Sequence, residues 1–282
     1  MTARERFLEL PHLRLAAREW GPDDGTAVLA LHGWLDNAAS FDRLAPLLPG
    51  LHVVAIDLAG HGRSDHHPAG TGFHFVDWLP EVAGAADALG WERFAILGHS
   101  MGAGIASLMP AIFPDRIERI VFLEGAGPLS SPPAETAERF AAALEKEQCL
   151  AAVPQRVFAD LESAVKARAR DSELDVEAAR LLVERGTVAE AGGLRFTFDP
   201  RLRTPSRLRL TEDQVVAFLA AIPCPVLAVR ARQGWPFPED VVAARLAVIR
   251  DLRRAEVEGG HHVHLTHPER VAPIIEEFFR AG

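Results

Sequence analysis

The sequence predicts an α/β protein whose mostly parallel sheet is covered by helices. Short apolar runs alternate with longer segments of helical periodicity, and several runs end at a polar residue or a glycine. This alternation is typical of parallel strands joined by crossover helices. A chain of 282 residues, 48% of them hydrophobic and 24% charged, can bury the core of one such domain with an insertion.

Each predicted strand is a short apolar run bounded by turn-forming residues. The eight predicted strands cover residues 7–10, 13–18, 27–31, 53–56, 94–97, 117–123, 225–229 and 255–257. Helices are predicted over residues 77–89, directly after Ser100, over 238–249 and from Pro268. The first two strands are expected to form a hairpin, and the later ones to alternate with helices.

The segment between the sixth and seventh predicted strands has a different composition. Residues 127–211 are rich in alanine, arginine and glutamate, and they show helical periodicity, for example over 134–150 and 176–183, but no strong strand. We therefore predict a helical cap, or lid, inserted after the sixth strand and lying over the carboxyl ends of the strands. Residues 1–126 and 212–282 would form the core domain.

A candidate nucleophile lies between the fifth predicted strand and the helix after it. Residues 98–102 read Gly-His-Ser-Met-Gly, so Ser100 stands at a sharp strand-to-helix turn. Such a turn holds the serine in a strained conformation with its hydroxyl exposed above the sheet, and the flanking glycines leave room for it. We therefore predict that Ser100 is a catalytic nucleophile and not a buried turn residue.

A serine hydroxyl needs a base to take its proton and a third group to orient that base. His261 and His262 follow the last predicted strand, and the residues alone leave open which of them is the base. His264 and His267 lie nearby, but the spacing of these histidines is irregular for a metal site. We therefore predict a catalytic histidine on this loop, no metal and no organic cofactor.

Outside the predicted cap, the chain resembles the α/β-hydrolase superfamily. The motifs that carry the resemblance lie at residues 31–34, 57–64, 98–102 and 260–268. Residues 33–42, 123–125 and 193–200 are similar, more closely, to its serine hydrolase-like branch. The resemblance implies an α/β-hydrolase fold with an eight-stranded, mostly parallel sheet and the chain order serine, acid, histidine.

The acid of the triad departs from the usual pattern of the superfamily. Most members carry an aspartate soon after the penultimate strand, where this chain has Gly234. A minority, including some haloalkane dehalogenases, carries the acid at the end of the strand after the nucleophile helix, which implies Glu124 here. Asp57, Asp240 and Glu239 are the alternative carboxylates.

An oxyanion hole needs two backbone N–H donors aimed at the oxygen that becomes negative. The position after the nucleophile and the loop after the third strand predict Met101 and Trp34 as these donors. The substrate pocket is predicted to be mostly apolar and to lie between the sheet and the cap. We expect Trp34, His99, Trp235 and Phe237 to line it.

The nucleophile limits the reaction. Ser100 argues against haloalkane dehalogenases and epoxide hydrolases, which use an aspartate, and the chain has no tyrosine to polarise an epoxide. A Ser-His-Glu triad favours carboxylesterase-type hydrolysis of a small, largely apolar ester through an acyl-enzyme. A carbon–carbon bond or lactone hydrolase of the same fold is the alternative enzyme, and a non-catalytic ligand-binding protein is the alternative outside enzymes.

Several cap arginines bear on the carbon–carbon bond alternative, because they could hold a substrate carboxylate. They are Arg195, Arg201, Arg203, Arg207 and Arg209. A solvated basic face is the interpretation that we favour for them.

Composition limits partners and compartment. The formal charge of −9 argues against nucleic acid, no apolar run is long enough to span a membrane, and the N-terminus lacks a signal-peptide pattern. Cys149 and Cys224 show no metal or redox spacing and are expected to be buried thiols. We therefore predict a cytoplasmic monomer or homodimer with a small-molecule substrate.

Overall fold

The computed structural model describes residues 2–151, 154–172 and 174–281. Its strands in chain order are β1 (Arg4–Glu9), β2 (Arg14–Trp20), β3 (Thr26–Leu31), β4 (Leu51–Ile56), β5 (Phe94–His99), β6 (Ile117–Leu123), β7 (Val157–Phe158), β8 (Thr187–Glu190), β9 (Gly193–Phe196), β10 (Val226–Gln233) and β11 (Leu252–Gly260). Within these residues, eight strands form one sheet in the order β1-β2-β4-β3-β5-β6-β10-β11. Strand β2 pairs antiparallel with both neighbours, and every other pair is parallel. The predicted eight-stranded, mostly parallel sheet is therefore confirmed.

The helices cover both faces of the sheet or lie in the predicted cap. They are α1 (Trp78–Ala88), α2 (Met101–Ile112), α3 (Thr136–Ala151), α4 (Leu161–Ser172), α5 (Val176–Arg185), α6 (Glu212–Ala220), α7 (Glu239–Ala247), α8 (Val263–Thr266) and α9 (Pro268–Arg280). Apolar side chains of α1, α2, α6 and α7 pack in one core, and those of α9 pack in the core on the opposite face. Because both faces are covered, β4 and β5 are buried along their whole length, as central parallel strands require.

The segment predicted as a helical cap contains strands as well as helices. Helices α3, α4 and α5 lie in it, and β7, β9 and β8 form a separate antiparallel sheet. The prediction that this segment holds no strong strand is therefore wrong for β8 and β9, which form a hairpin with Glu190 opposite Gly193. Most of their side chains are exposed or half-buried, so the apolar pattern that reveals a strand in sequence is weak.

Two further predictions concern cysteines and membranes. Cys224 is buried, but Cys149 on α3 is exposed, so the expectation of two buried thiols is wrong for Cys149. Nearly all of the described α3 residues are exposed or half-buried, with only Ala143 buried, so Cys149 lies on an exposed helix. Among the described helices, none combines the length and the apolar character that crossing a membrane demands.

Candidate active site

Ser100 lies at the turn between β5 and α2 in a backbone conformation that L-residues rarely adopt. Its φ and ψ angles are 51° and −111°. The two flanking glycines permit this turn, since a Cβ at Gly98 would lie 2.5 Å from the carbonyl oxygen of Gly102. A Cβ at Gly102 would lie 2.1 Å from the carbonyl oxygen of Leu31. The strained turn therefore needs both glycines and presents the Ser100 hydroxyl at the carboxyl edge of the sheet.

The loop after β11 brings His261 to the serine. Its Nε2 lies 2.9 Å from Ser100 Oγ, and its Nδ1 lies 3.2 Å from Glu124 Oε2. His262 points elsewhere, with its Nε2 3.3 Å from Asp36 Oδ2. Of the two histidines that the sequence left open, the structure thus brings His261 to Ser100.

Glu124 follows β6 and completes the chain of contacts from the other side of His261. Its φ is 54°, and its side chain is buried. Oε1 accepts a hydrogen bond from the Ala231 N–H at 2.5 Å, and Oε2 accepts one from the Trp235 N–H at 3.1 Å. Two backbone donors and the imidazole therefore fix the orientation of this carboxylate.

The absence of a side chain at Gly234 explains how Glu124, which follows β6, can take the place of the aspartate expected after the penultimate strand. A Cβ at this position would lie 2.0 Å from Oε2 of Glu124 and 2.6 Å from its carboxyl carbon. The Glu124 carboxylate thus occupies the space directly beside position 234. A side chain at 234 and the observed position of the Glu124 carboxylate exclude each other.

The other candidate acids lie away from His261. Asp57 is buried, accepts hydrogen bonds from the backbone N–H groups of Ala38 and Arg63, and pairs with Arg185 at 2.9 Å. Glu239 forms an exposed pair with Arg230, and Asp240 is exposed on α7. None of these three carboxylates contacts His261 within the described part of the chain.

The two predicted oxyanion donors lie on different elements. Met101 is the first residue of α2, and Trp34 lies in the loop after β3. Among the described residues, neither of these backbone N–H groups donates a hydrogen bond to a backbone carbonyl in a turn, loop or cap. The Trp34 indole donates to the Leu202 carbonyl in the cap at 2.9 Å, although the residue is 52% exposed. These N–H groups remain predicted donors.

A cavity of about 220 Å³ opens beside Glu124. Trp235 and Phe237 line it, together with apolar residues of α7 and the chain segment that follows β6. Gly125, another lining residue, lies against Ser100, because a Cβ on it would be 3.0 Å from the Ser100 carbonyl oxygen. Trp34 and His99 are not among the lining residues.

His99 differs most from its predicted place. It is completely buried, and its ring packs against those of His261, His262 and His264 with centroids 4.8, 5.0 and 4.1 Å away. Burial, and then the neighbouring histidines, hold the pKa of His99 well below its usual value. The prediction that His99 lines the substrate pocket is therefore wrong, since the last residue of β5 points beneath the His261 loop.

Acidic partners hold three of the cap arginines in place. The pairs are Arg195–Glu190, Arg201–Asp199 and Arg207–Glu147, at 3.0, 2.6 and 2.6 Å. The guanidinium of Arg203 lies 4.8 Å from the ring of Phe198. Four of the five arginines thus already have partners within residues 127–211, which leaves them less available to hold a substrate carboxylate.

Sequence reasoning missed Asp36 and Arg168. Asp36 lies in the loop after β3, and Arg168 of α4 binds its Oδ1. The Trp235 N–H was also missed as a ligand of Glu124. No local signal identifies these contacts, because each joins residues that are more than 100 positions apart in the sequence.

A strained serine, an imidazole and a buried carboxylate in one hydrogen-bonded chain define the class of serine-dependent hydrolases built on an α/β sheet. Comparison with known proteins agrees with this class. The family model described as "alpha/beta hydrolase fold" matches residues 26–268, and the chain belongs to that family.

Relatives are similar to this protein over nearly its full length. A serine hydrolase-like protein of Danio rerio is 32% identical, and the match covers 99% of this chain and 89% of that protein. Serine hydrolase-like protein 2 of Homo sapiens is also 32% identical, over 98% of this chain and 94% of its own. A crystal structure of a hypothetical protein from Pseudomonas aeruginosa PAO1 is 41% identical with a TM-score of 0.94, and 99% of each chain is covered.

Proposed function

We propose that this protein is a serine hydrolase that cleaves a small, largely apolar carboxylic ester through an acyl-enzyme. The observation that carries the proposal is the unbroken chain from Ser100 Oγ through the His261 ring to the Glu124 carboxylate, with contacts of 2.9 and 3.2 Å. Two relatives are named serine hydrolase-like proteins, and these names support the same reaction class.

The first half of the reaction transfers the acyl group to the enzyme. His261 Nε2 takes the proton of Ser100 while Oγ attacks the ester carbonyl carbon, and the carbonyl oxygen becomes negative. The Met101 and Trp34 N–H groups are the proposed donors to that oxygen. The imidazolium, held by Glu124, then gives its proton to the leaving alkoxide, so that an alcohol departs and an acyl-serine remains.

Water completes the cycle. His261 takes a proton from a water molecule, whose oxygen attacks the acyl carbon of the ester on Ser100. The second tetrahedral intermediate breaks down when the imidazolium returns a proton to Oγ, which releases a carboxylic acid and regenerates the serine. Glu124 stays ionised throughout and stabilises each imidazolium as it forms.

Cavity size and lining support the proposed substrate class. The cavity of about 220 Å³ is lined largely by apolar side chains such as Leu129, Trp235 and Phe237. A drug-sized ligand typically needs a pocket of about 300–1,000 Å³, so a short acyl or alcohol group fits better than a long chain.

Hydrolysis of p-nitrophenyl acetate, butyrate, octanoate and palmitate tests the proposal. We expect turnover that is fastest with the short esters and that is lost in Ser100→Ala. Ser107→Ala is the matched control, because Ser107 lies in the same helix α2 but its hydroxyl bonds only the Gly104 carbonyl. Equal activity of Ser100→Ala and the wild type would exclude Ser100 as the nucleophile, and a folded wild type inert to all four esters would exclude the ester class.

A further inference from the structure

A buried polar cluster lies behind the His261 loop and is not used by the proposed reaction. It consists of Asp36 after β3, His99 at the end of β5 and His262 after β11, and we call it the Asp36 cluster. One carboxylate oxygen and two ring nitrogens of these residues all lie within 4.8 Å of one another. Three chain segments at the carboxyl edge of the sheet therefore bring together a set of atoms that can bind a metal.

Two atoms of the cluster have no hydrogen-bond partner among the described residues. Asp36 Oδ2 and His99 Nδ1 are buried and unsatisfied, although Oδ2 lies 3.8 Å from Nδ1 and 3.3 Å from His262 Nε2. An unsatisfied buried acceptor is costly, and two that face each other are worse. The arrangement thus calls for a positively charged or donating group between them.

The tautomer of His99 is set by its other nitrogen. Nε2 lies 2.9 Å from the His261 carbonyl oxygen, which can only accept, so Nε2 must carry the hydrogen. Complete burial favours the uncharged ring. His99 Nδ1 then presents a bare lone pair toward the Asp36 carboxylate, which is the state that a metal ligand requires.

Gly33 borders the cluster. A Cβ at Gly33 would lie 2.9 Å from His99 Nδ1 and 3.2 Å from Asp36 Oδ2, so a side chain at this position would crowd both atoms. A tetrahedral zinc ion with ligands at about 2.1 Å separates them by about 3.4 Å. The observed separations of 3.3 and 3.8 Å are close to that value.

We propose that Asp36, His99 and His262 bind a divalent transition-metal ion of the zinc type. Two imidazoles and one carboxylate are ligands that such ions accept, with a water or another group in the fourth position. Arg168 contacts only the other carboxylate oxygen, Oδ1, and keeps that contact when Oδ2 binds the ion. The ion braces the loop that carries His261, because His262 is its chain neighbour and His99 binds its carbonyl.

A second group of potential ligands lacks these properties. Glu19, Asp23 and His52 also lie close together, but Glu19 is paired with two arginines as well as with His52. Its atoms are not among the unsatisfied ones. This second group carries no proposal and provides the matched control.

Titration of the chelator-treated protein tests the site without any substrate. Zn²⁺ binding is measured by calorimetry, and Co²⁺ binding by the visible absorption of a tetrahedral ion. We expect one site in the wild type, an affinity lowered by at least about tenfold in His262→Ala, and unchanged affinity in Asp23→Asn. His262 is part-exposed at the loop, so circular dichroism and a melting curve establish that His262→Ala is folded before titration.

Thermal melts give a second readout. Because a ligand that binds only the folded state stabilises it, Zn²⁺ should raise the Tm of the wild type and of Asp23→Asn but not of His262→Ala. Asp36→Asn should behave like His262→Ala. Absence of saturable binding in the wild type, or identical binding in wild type and His262→Ala, would overturn the proposal and leave a proton or a water molecule as the group between Asp36 and His99.

Discussion

At the scale of single residues, backbone strain is concentrated at the site. Among the described residues other than glycine, only Leu35, Ser100 and Glu124 have positive φ, at 59°, 51° and 54°. Each such residue costs about 1–3 kcal/mol and persists only where the surroundings hold it in place. Two of the three belong to the proposed triad, and Leu35 directly follows a proposed oxyanion donor.

Replacing the Glu124 carboxylate tests its role as the orienting acid. In Glu124→Gln, the amide cannot stabilise the imidazolium, and we expect kcat for ester hydrolysis to fall by roughly 10³–10⁴-fold while the fold survives. Glu239→Gln is the control, because its carboxylate pairs with Arg230 on the exposed surface. If both variants kept full activity, the acid would have to come from another residue.

Position 234 should accept the acid only when Glu124 is absent. Gly234→Ala places a methyl group where the Glu124 carboxylate lies, so we expect it to lower kcat by at least about tenfold. In a Glu124→Gly background, Gly234→Asp should recover part of the lost turnover, and Gly234→Asn should not. Comparable rates for Asp and Asn at 234 would show that the added group does not act as an acid.

At the scale of elements, helix α5 is tied to the core by a buried ion pair. Arg185 at the end of α5 binds Asp57, which follows β4, at 2.9 Å, and also Glu5 of β1 at 2.6 Å. Arg185 is 2% exposed and Asp57 is completely buried. Asp57 is thus a structural residue that connects the predicted cap to the sheet.

Breaking this ion pair should lower the free energy of unfolding far more than breaking an exposed ion pair of the same helix. Arg185→Met leaves Asp57 buried without its counterion, and we expect the free energy of unfolding to drop by about 3–5 kcal/mol. Arg180→Met, which removes an exposed pair between Arg180 and Glu162, should lower the free energy of unfolding far less. Urea unfolding measures both, and equal losses would contradict a special role for Arg185.

A histidine near α1 should make stability depend on pH. The hydrogen bond to buried Glu81 raises the pKa of His67. The folded state therefore binds the proton more tightly than the unfolded chain, so this stabilisation is complete below the unfolded pKa of about 6.5 and is lost as pH rises through the folded value. His67→Gln should accordingly destabilise more at about pH 5.5 than at about pH 9. Urea unfolding at both pH values measures this. A loss independent of pH would leave His67 only a packing role, since its ring stacks on that of Phe73 with centroids 4.5 Å apart.

The main sheet could be predicted because its strands are continuous apolar runs, whereas the small sheet of the cap could not. Strands such as β4 and β5 are buried on both faces, so apolar side chains are required along most of their length and the run is visible in the sequence. In β8, three of four residues are exposed. Its structure therefore depends on pairing with the neighbouring strand β9 and not on an apolar periodicity.

At the scale of the whole molecule, the sheet gathers loops that are far apart in sequence. Trp34, Ser100, Glu124 and His261 each follow a strand, and parallel strands end at one edge. Local motifs reveal Ser100 and the histidine loop, and the missing aspartate at Gly234 directs attention to Glu124. The three residues of the Asp36 cluster also lie within quoted motifs, but no motif shows that their side chains meet, because they belong to three separate segments that only the folded sheet brings together.

The most direct test of the central claim is intact-mass analysis after reaction with a fluorophosphonate. An activated Ser100 attacks phosphorus and expels fluoride, so the wild type should gain one adduct, Ser100→Ala none, and Glu124→Gln should react much more slowly. That result would establish an activated serine supported by the carboxylate. A folded wild type that gains no adduct, or a Ser100→Ala protein that still gains one, would contradict the proposed triad.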